Sequence, residues 1–245
     1  MEEQLYRTFY EVEQKHWWFV ARQRIVEDLI RRRIGLAPGS SVLDVGCGTG
    51  AILAMLSKQF EAYGTDTSPL AIELCGKRGL KNAFQCTLES FPRPDLRFNL
   101  ITLLDVIEHI DDDLAVLQQA HGYLKSGGSV LVTVPAYQWL WSRHDDLNHH
   151  KRRYTKAGLA EVLDRAGLKP ILLSYYNTLL FPAALVGRIV QKASGSANDT
   201  TLAIPPTLLN TLLTSVFSFE RHLLDRTPLP FGLSIVALGT KGHEE

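Results

Sequence analysis

Ser41-Val42-Leu43-Asp44-Val45-Gly46-Cys47-Gly48-Thr49-Gly50-Ala51 is the stretch that decides the fold. A short β-branched run over residues 41–45 gives way to three alternate glycines, and a helical pattern over residues 51–59 follows them. Strand, loop and helix therefore come in that order. With no side chains at Gly46, Gly48 and Gly50, the backbone can pass very close to a ligand of nucleotide type. A dinucleotide fingerprint needs GxGxxG, and its third position falls on Ala51. The GxGxG spacing turns the reading away from a pyrophosphate, although alanine is tolerated there and an NAD(P)-dependent oxidoreductase stays as an alternative.

Toward the C-terminus the alternation repeats, with strands predicted at residues 62–65, 83–86, 98–104 and 129–134 and helices at 69–77 and 112–124. Strands that alternate with helices, each short enough to be buried on both faces, predict an α/β chain with a mainly parallel sheet and right-handed crossovers. An irregular stretch rich in aromatic residues and histidines then runs to Tyr154, followed by a helix over 156–166 closed by Gly167 and a strand near 171–174. Toward the N-terminus, residues 4–34 carry Leu5, Phe9, Val12, Trp17, Ile25 and Leu29 at mixed helical spacing, predicting one or two helices stopped by Gly35 and Pro38-Gly39. Apolar helical segments at 179–190 and 207–224, joined by a polar linker over 193–200, precede a closing strand at 231–239. About 50 residues make a small independent core, so this segment reads as an insertion. One domain is expected over 1–245: a helical lid at 1–35, a cofactor-binding core at 36–135, and an acceptor-side half at 136–245 containing the helical insertion 177–230.

The 245 residues are 45% hydrophobic, an ordinary globular composition. The 26 basic and 26 acidic residues cancel, so no global field argues for nucleic acid, and charge recognition must be local, as at Lys151-Arg152-Arg153. Cys47, Cys75 and Cys86 are odd in number and lack CxxC spacing, so free thiols in a reduced, cytoplasmic protein are expected. No basic region followed by an apolar stretch opens the chain, and the run 179–190 falls short of the roughly 20 residues that cross a bilayer.

At the end of the next strand, twenty-two residues beyond Asp44, stands Asp66 in Tyr63-Gly64-Thr65-Asp66-Thr67, placed to accept the hydroxyls of a ribose. Together with the loop it selects a nucleotide-like ligand. With these residues the chain resembles the class I S-adenosylmethionine-dependent methyltransferases, in particular small-molecule enzymes of bacteria. The resemblance covers residues 40–135 and is carried by Val42-Leu43-Asp44-Val45-Gly46-Cys47-Gly48-Thr49-Gly50, Gly64-Thr65-Asp66-Thr67-Ser68-Pro69, Leu103-Leu104-Asp105-Val106-Ile107-Glu108-His109-Ile110 and Leu124-Lys125-Ser126-Gly127-Gly128. It implies a Rossmann-like, seven-stranded, mostly parallel sheet with an antiparallel last strand and helices on both faces. It also implies S-adenosylmethionine as cofactor and S-adenosylhomocysteine as product. Carried over by position, Gly46 and Gly48 face the methionine portion, Asp44 anchors it, Asp66 holds the ribose, and Thr87 and Leu88 read the adenine. Cys47, Gly50, Thr67, Leu104 and Asp105 complete the cofactor set. Thr87 stands where many relatives are acidic, and Asn99 replaces the aspartate of their Phe-Asp pair.

Asp105, Glu108 and His109 leave the C-terminal edge of a strand, where ligands of open α/β sheets bind. In a subset resembling ubiquinone-pathway O-methyltransferases and small-RNA 2′-O-methyltransferases, Glu-x-x-Glu-His and a later histidine hold a divalent ion. Here Asp105 stands for the first glutamate, and His144, His149 or His150 is the candidate later ligand. A metal would lower the pKa of an acceptor hydroxyl. Hydrogen bonds from Glu108 and His109 to backbone are nevertheless the favoured reading of the pair, and a metal is the lesser expectation.

Tyr137, Arg152, Arg153 and Tyr154, with Trp17, Trp18 and Arg22 from the N-terminal helices, are the residues expected to border the acceptor, core packing of a docking helix being the favoured structural reading of the aromatic cluster near residue 17. His144, His149 and His109 are the candidate general bases. Arg152 and Arg153 are candidates for holding an anionic group, while a competing structural reading pairs them with Asp145 or Asp146 in a rigid loop. The expected acceptor is small or lipid-like, with oxygen receiving the methyl group. The apolar segments across 179–224 cover that acceptor or touch a membrane surface peripherally, the more ordinary reading being an apolar helix face that packs on the sheet. A non-catalytic protein that binds S-adenosylmethionine is the second alternative.

Overall fold

The computed structural model describes residues 3–194 and 202–242, with the side chains of His144 and of 188–194 left out of the description. Most of the polar linker expected at 193–200 thus lies outside the described residues. The strands are β1 (Ser41–Val45), β2 (Glu61–Asp66), β3 (Ala83–Gln85), β4 (Phe98–Leu104), β5 (Leu124–Pro135), β6 (Leu168–Tyr176) and β7 (Ser234–Lys241). They form one seven-stranded sheet in the order β3-β2-β1-β4-β5-β7-β6. Every pairing among β1 to β5 is parallel, and β7 runs antiparallel between β5 and β6. The strand order reverses between β1 and β4, which opens a crevice above their C-terminal ends.

Helices α1 (Glu3–Val12) and α2 (Trp17–Leu29) precede the sheet. Between strands lie α3 (Ala51–Leu56), α4 (Pro69–Lys77), α5 (Asp113–Tyr123), α6 (Arg143–Leu147) and α7 (Lys156–Arg165), and α8 (Phe181–Ser194) and α9 (Thr207–Leu224) sit between β6 and β7. Residues in a strand point alternately to the two faces, so neighbours in β1 serve different cores. Leu43 joins Ile101, Leu103, Val132 and Leu117 and Leu163 of α5 and α7, while Val42 joins Leu100, Leu131, Leu53 of α3, Ile25 of α2 and Phe217 of α9. The helix starts are written in the sequence: Ser68 precedes Pro69 and accepts from the Ala71 N–H at 3.4 Å, and Asp112 and Thr155 cap α5 and α7 in the same way at 2.9 and 3.1 Å.

The elements at 41–45, 69–77, 98–104 and 207–224 coincide with their predicted bounds, and others shift. Helix α3 ends at Leu56, three residues early, and β5 begins at Leu124 rather than 129. The last strand starts at Ser234 instead of 231 because a Cβ at Gly232 would lie 2.3 Å from the Tyr176 carbonyl oxygen, so the chain there is pressed against β6 as an entry turn. The irregular stretch after Pro135 contains α6 and a short helical turn at Gln138–Leu140. Among the described residues no helix is long and apolar enough to cross a membrane.

Candidate active site

One cleft of about 1110 Å³ opens over the C-terminal ends of β1, β2 and β4. Its floor is the loop after β1. Gly46 (φ 67°) and Gly48 (φ 55°) adopt the left-handed conformation that favours glycine. At Gly46 a Cβ would come within 2.6 Å of Val106, so the loop is pressed against the β4 exit; at Gly48 it would meet nothing within 4 Å, so the missing side chain leaves cleft space open. Gly50 opens α3, faces Leu80 and Cys75 and is not on the cleft wall; its expected place in the cofactor set is corrected to a packing role. Cys47 lies on the wall, is buried, and its Sγ stands 4.0 Å from that of Cys75; the cysteines are free thiols.

Asp66 ends β2 with its carboxylate fixed by neighbours. Oδ2 accepts from the Gly48 N–H at 3.0 Å, and Oδ1 accepts from the Ser68 N–H at 2.9 Å and the Tyr6 hydroxyl at 3.4 Å. Asp44 is buried at the end of β1 and accepts from the Thr102 hydroxyl at 2.6 Å; burial pushes its carboxyl up to about 6. Thr67, Thr87, Leu88 and Leu104 line the same cleft, with the Thr87 hydroxyl paired to that of Ser90 at 2.9 Å.

Beyond β4 the chain turns through Asp105, a non-glycine residue at φ 58°. Such backbone is costly away from glycine and clusters at functional sites. The Asp105 carboxylate takes the Thr133 hydroxyl at 3.1 Å and lies 2.6 Å from the Arg22 guanidinium. Burial works against the charge on Arg22, and Asp105, Tyr176 and Asp44 together more than restore it; the same guanidinium lies over the Trp18 ring at 5.2 Å. Glu108 is fully buried with neither carboxylate oxygen hydrogen-bonded, and burial, with Asp105 adding to it, holds its carboxyl well above the ordinary range. Burial also lowers His109 to about 4, so the ring is neutral at pH 7.

His150 meets His109 edge to face, ring centroids 4.7 Å apart. One donor atom each from Glu108, His109 and His150 lie within 4.8 Å of one another. Asp145, fully buried, receives His150 Nδ1 at 2.9 Å and Arg153 at 2.7 and 2.9 Å, as well as Ser142 N–H and hydroxyl at 2.8 and 3.0 Å. A carboxylate only accepts, so the proton sits on Nδ1 and Nε2 is the basic nitrogen of His150.

Several residues expected at the acceptor are used elsewhere. Arg153 reaches the cleft wall, but three of its side-chain nitrogens bond to Asp145 and the Ala136 carbonyl. Arg152 bonds the Ile110 and Asp111 carbonyls at 3.1 and 2.7 Å and Asp113 at 3.1 Å, away from the cleft. Tyr154 is buried with its hydroxyl on Asp113 at 2.6 Å, and Tyr137 stacks on Tyr175 at 4.9 Å. His149 is exposed at φ 56° and off the cleft wall, and the His144 side chain is outside the described residues. Trp17, Trp18 and Arg22 do line the cleft.

Three contributions were missed from sequence. Glu13, just after α1, accepts from the Thr49 hydroxyl and pairs with Arg78, which also donates to the Thr49 carbonyl at 2.8 Å and lies over Tyr10 at 4.4 Å. With Tyr6 on Asp66, this fastens α1 across the glycine loop. Asn177, at φ 57° after β6, is buried on the cleft wall. None lies in a motif, so only the three-dimensional fold reveals them.

A family model described as a methyltransferase domain matches residues 19–173, more than half of the chain. The chain is 24% identical over 181 residues to the malonyl-[acyl-carrier protein] O-methyltransferase of Pseudescherichia vulneris, covering 67% of this chain and 70% of that protein. It is 30% identical over 115 residues to the ubiquinone biosynthesis O-methyltransferase of Xanthomonas campestris pv. campestris, 43% of this chain and 47% of that protein, so it spans about half the length of this second relative. Its fold matches that of a SAM-dependent methyltransferase from Archaeoglobus fulgidus with a TM-score of 0.56 at 19% identity, over 89% of this chain and 94% of the other. With the glycine loop, Asp66 at the end of β2 and the sheet order in place, the chain belongs to the class I S-adenosylmethionine-dependent methyltransferases.

Proposed function

We propose that the chain moves a methyl group from S-adenosylmethionine to an oxygen of a small or lipid-like acceptor, bound on the Glu108, His109 and His150 side of the cleft. The observation that carries this reading is that a donor floor and a cluster of proton acceptors share one cavity. The residues fit the donor: Gly48 leaves open space, Asp66 offers a fixed carboxylate, and Asp44 and Asp66 at the ends of β1 and β2 supply acidic groups on the wall that a cationic donor would face. Asp44, Gly46, Cys47 and Gly48 would hold the amino-acid end, Asp66 and Thr67 the ribose, and Thr87 and Leu88 the base, with Leu104 and Asp105 closing the site. When bound, the donor supplies an electrophilic methyl carbon whose bond to sulfur breaks as the bond to oxygen forms.

The protein's share is orientation, exclusion of water and removal of one proton. His109, neutral because it is buried, accepts the hydroxyl proton of the acceptor. His150, oriented by Asp145, stands beside it and keeps a second basic nitrogen in the cluster. The O-methyltransferase activities named for the two curated relatives support oxygen as the receiving atom. The test is transfer of labelled methyl from S-adenosylmethionine into an extract of lipids and metabolites, read by mass. His109→Asn is expected to lose transfer at least about 100-fold while still binding S-adenosylhomocysteine. Transfer at the wild-type rate in that variant would remove His109 as base, and donor binding with no transfer into any fraction would favour a non-catalytic binding protein.

A second reading has its own observation. Glu108, His109 and His150 offer a carboxylate and two imidazoles at ligand spacing, and the carboxylate behind His150 is the usual partner of a metal-bound histidine. Of the expected set, Glu108, His109 and one candidate later ligand, His150, come together, while Asp105 is turned to Arg22 and Thr133. A divalent ion held there would lower the pKa of the acceptor hydroxyl. Loss of transfer on chelation, restored by added metal, is the expected result on this reading; unchanged transfer in metal-free protein removes it.

A further inference from the structure

The chain leaves β6 through Asn177-Thr178-Leu179, and this exit is held from several sides. Glu220 of α9, fully buried, accepts from the Leu179 N–H at 2.8 Å. Burial raises the Glu220 carboxyl, and the backbone N–H groups of residues 177–179 oppose that by favouring its charged form. The Thr178 hydroxyl donates to the Phe231 carbonyl, and the Asn177 carbonyl accepts from the Leu233 N–H at 3.4 Å. Held in this way, Asn177 keeps a φ of 57°, backbone that is uncommon away from glycine.

The side chain is another matter. Asn177 lines the cleft and is 2% exposed, and its Oδ1 has no hydrogen-bond partner among the described residues. A buried polar atom without a partner destabilises the fold, and such atoms are rare in native proteins. Asparagine tolerates left-handed backbone, but glycine adopts the same backbone without burying an amide. The amide therefore calls for a partner from outside the chain. Its place in the sheet says which. Strands β5 and β6 both run antiparallel to β7, so the β6 exit opens on the same edge as the cleft. In the order β1-β4-β5-β7-β6 it lies four strands from β1. At about 4.8 Å per strand that is roughly 19 Å, outside the seat proposed for the donor on β1 and β2. Asn177 shares this part of the wall with Pro135, Leu233 and Ser234, all beyond β4 and its Glu108. A molecule that reaches it is the acceptor.

We propose that Asn177 recognises the acceptor, its Oδ1 accepting a hydrogen bond from a hydroxyl or N–H group remote from the oxygen that receives the methyl group. This rests on the acceptor reading given above for the place of that oxygen, but not for its test. An acceptor without such a group leaves Oδ1 unpaired, so the residue discriminates among acceptors. Wild type and Asn177→Gly, each saturated with S-adenosylhomocysteine, are dialysed to equilibrium against an extract of lipids and metabolites, and the compounds that the protein concentrates are identified by mass. The glycine keeps the left-handed backbone and removes only the amide. At least one compound bearing a hydroxyl or N–H group is expected to be concentrated by wild type and bound about tenfold more weakly by the variant. The variant's affinity for S-adenosylhomocysteine should stay at the wild-type value and its melting within about 4 °C. Equal binding of every compound by the two proteins overturns the proposal, as does wild type that concentrates none. A variant that loses S-adenosylhomocysteine in the same proportion assigns Asn177 to the fold and overturns it too. A compound bound through Asn177 that gains no methyl group when S-adenosylmethionine is supplied counts against the transfer reading and not against recognition.

Discussion

On the wall proposed for the donor, Gly46, Gly48 and Asp66 contribute backbone shape and one carboxylate, each close to the end of a strand. On the opposite wall, residues 137–154 use much of their charge internally: Asp145 gathers His150, Arg153 and Ser142, and Arg152 ties to carbonyls after β4. The first wall is a surface shaped by absent side chains. The second is a small polar core that holds a single histidine in place. A dense polar constellation in sequence can thus be mostly scaffold, with its chemistry concentrated in one member.

The sharpest way to break this contrast is Asp145→Ala. It leaves Arg153, 8% exposed, as a buried cation without its partner, and a loss of about 3–5 kcal/mol in urea unfolding is expected. A loss below about 1 kcal/mol would mean that the loop is not built around this ion pair. Next is Asp66→Ala on the other wall. Removing a carboxylate that would face two hydroxyls is expected to weaken S-adenosylhomocysteine binding about 100-fold. A change of less than about threefold would move the ribose elsewhere.

The titration of His109 sharpens the comparison further. Its ring is lowered from an ordinary 6.5 to about 4 by burial, so as pH falls the unfolded chain takes up the proton first. The contribution of the neutral ring is present above pH 6.5 and is lost as pH falls toward 4. Between pH 7 and 5, wild type is expected to lose roughly 1–2 kcal/mol more stability than His109→Asn. Equal losses would place the ring in solvent. The smallest effect is expected from Arg152→Ala, about 1 kcal/mol of stability with no change in KM for the acceptor, because its hydrogen bonds go to the backbone after β4. A tenfold rise in KM would restore it as an anion-binding residue.

The shape of the glycine-loop wall was legible from sequence because its features are local. A strand, alternate glycines and a helix lie within sixteen consecutive residues, and Asp66 follows one crossover later. Gly50 was misread because whether a glycine faces ligand or a neighbouring helix depends on Leu80 and Cys75, thirty and twenty-five positions away. The acceptor wall depends on pairings between distant segments. Choosing His150 over His149 needs the positive φ of His149, which turns consecutive side chains apart, and the position of Asp145 beneath the loop. Glu13 and Tyr6 act across 36 and 60 residues, and no periodicity marks such contacts.

Methyl transfer by this chain requires first that the glycine loop be a seat for S-adenosylmethionine. Isothermal titration of the intact chain with S-adenosylhomocysteine and, separately, with NAD tests this most directly. Saturable one-to-one binding of S-adenosylhomocysteine that Asp66→Ala removes, with no heat from NAD, is the predicted result. Binding of NAD without binding of S-adenosylhomocysteine would contradict it.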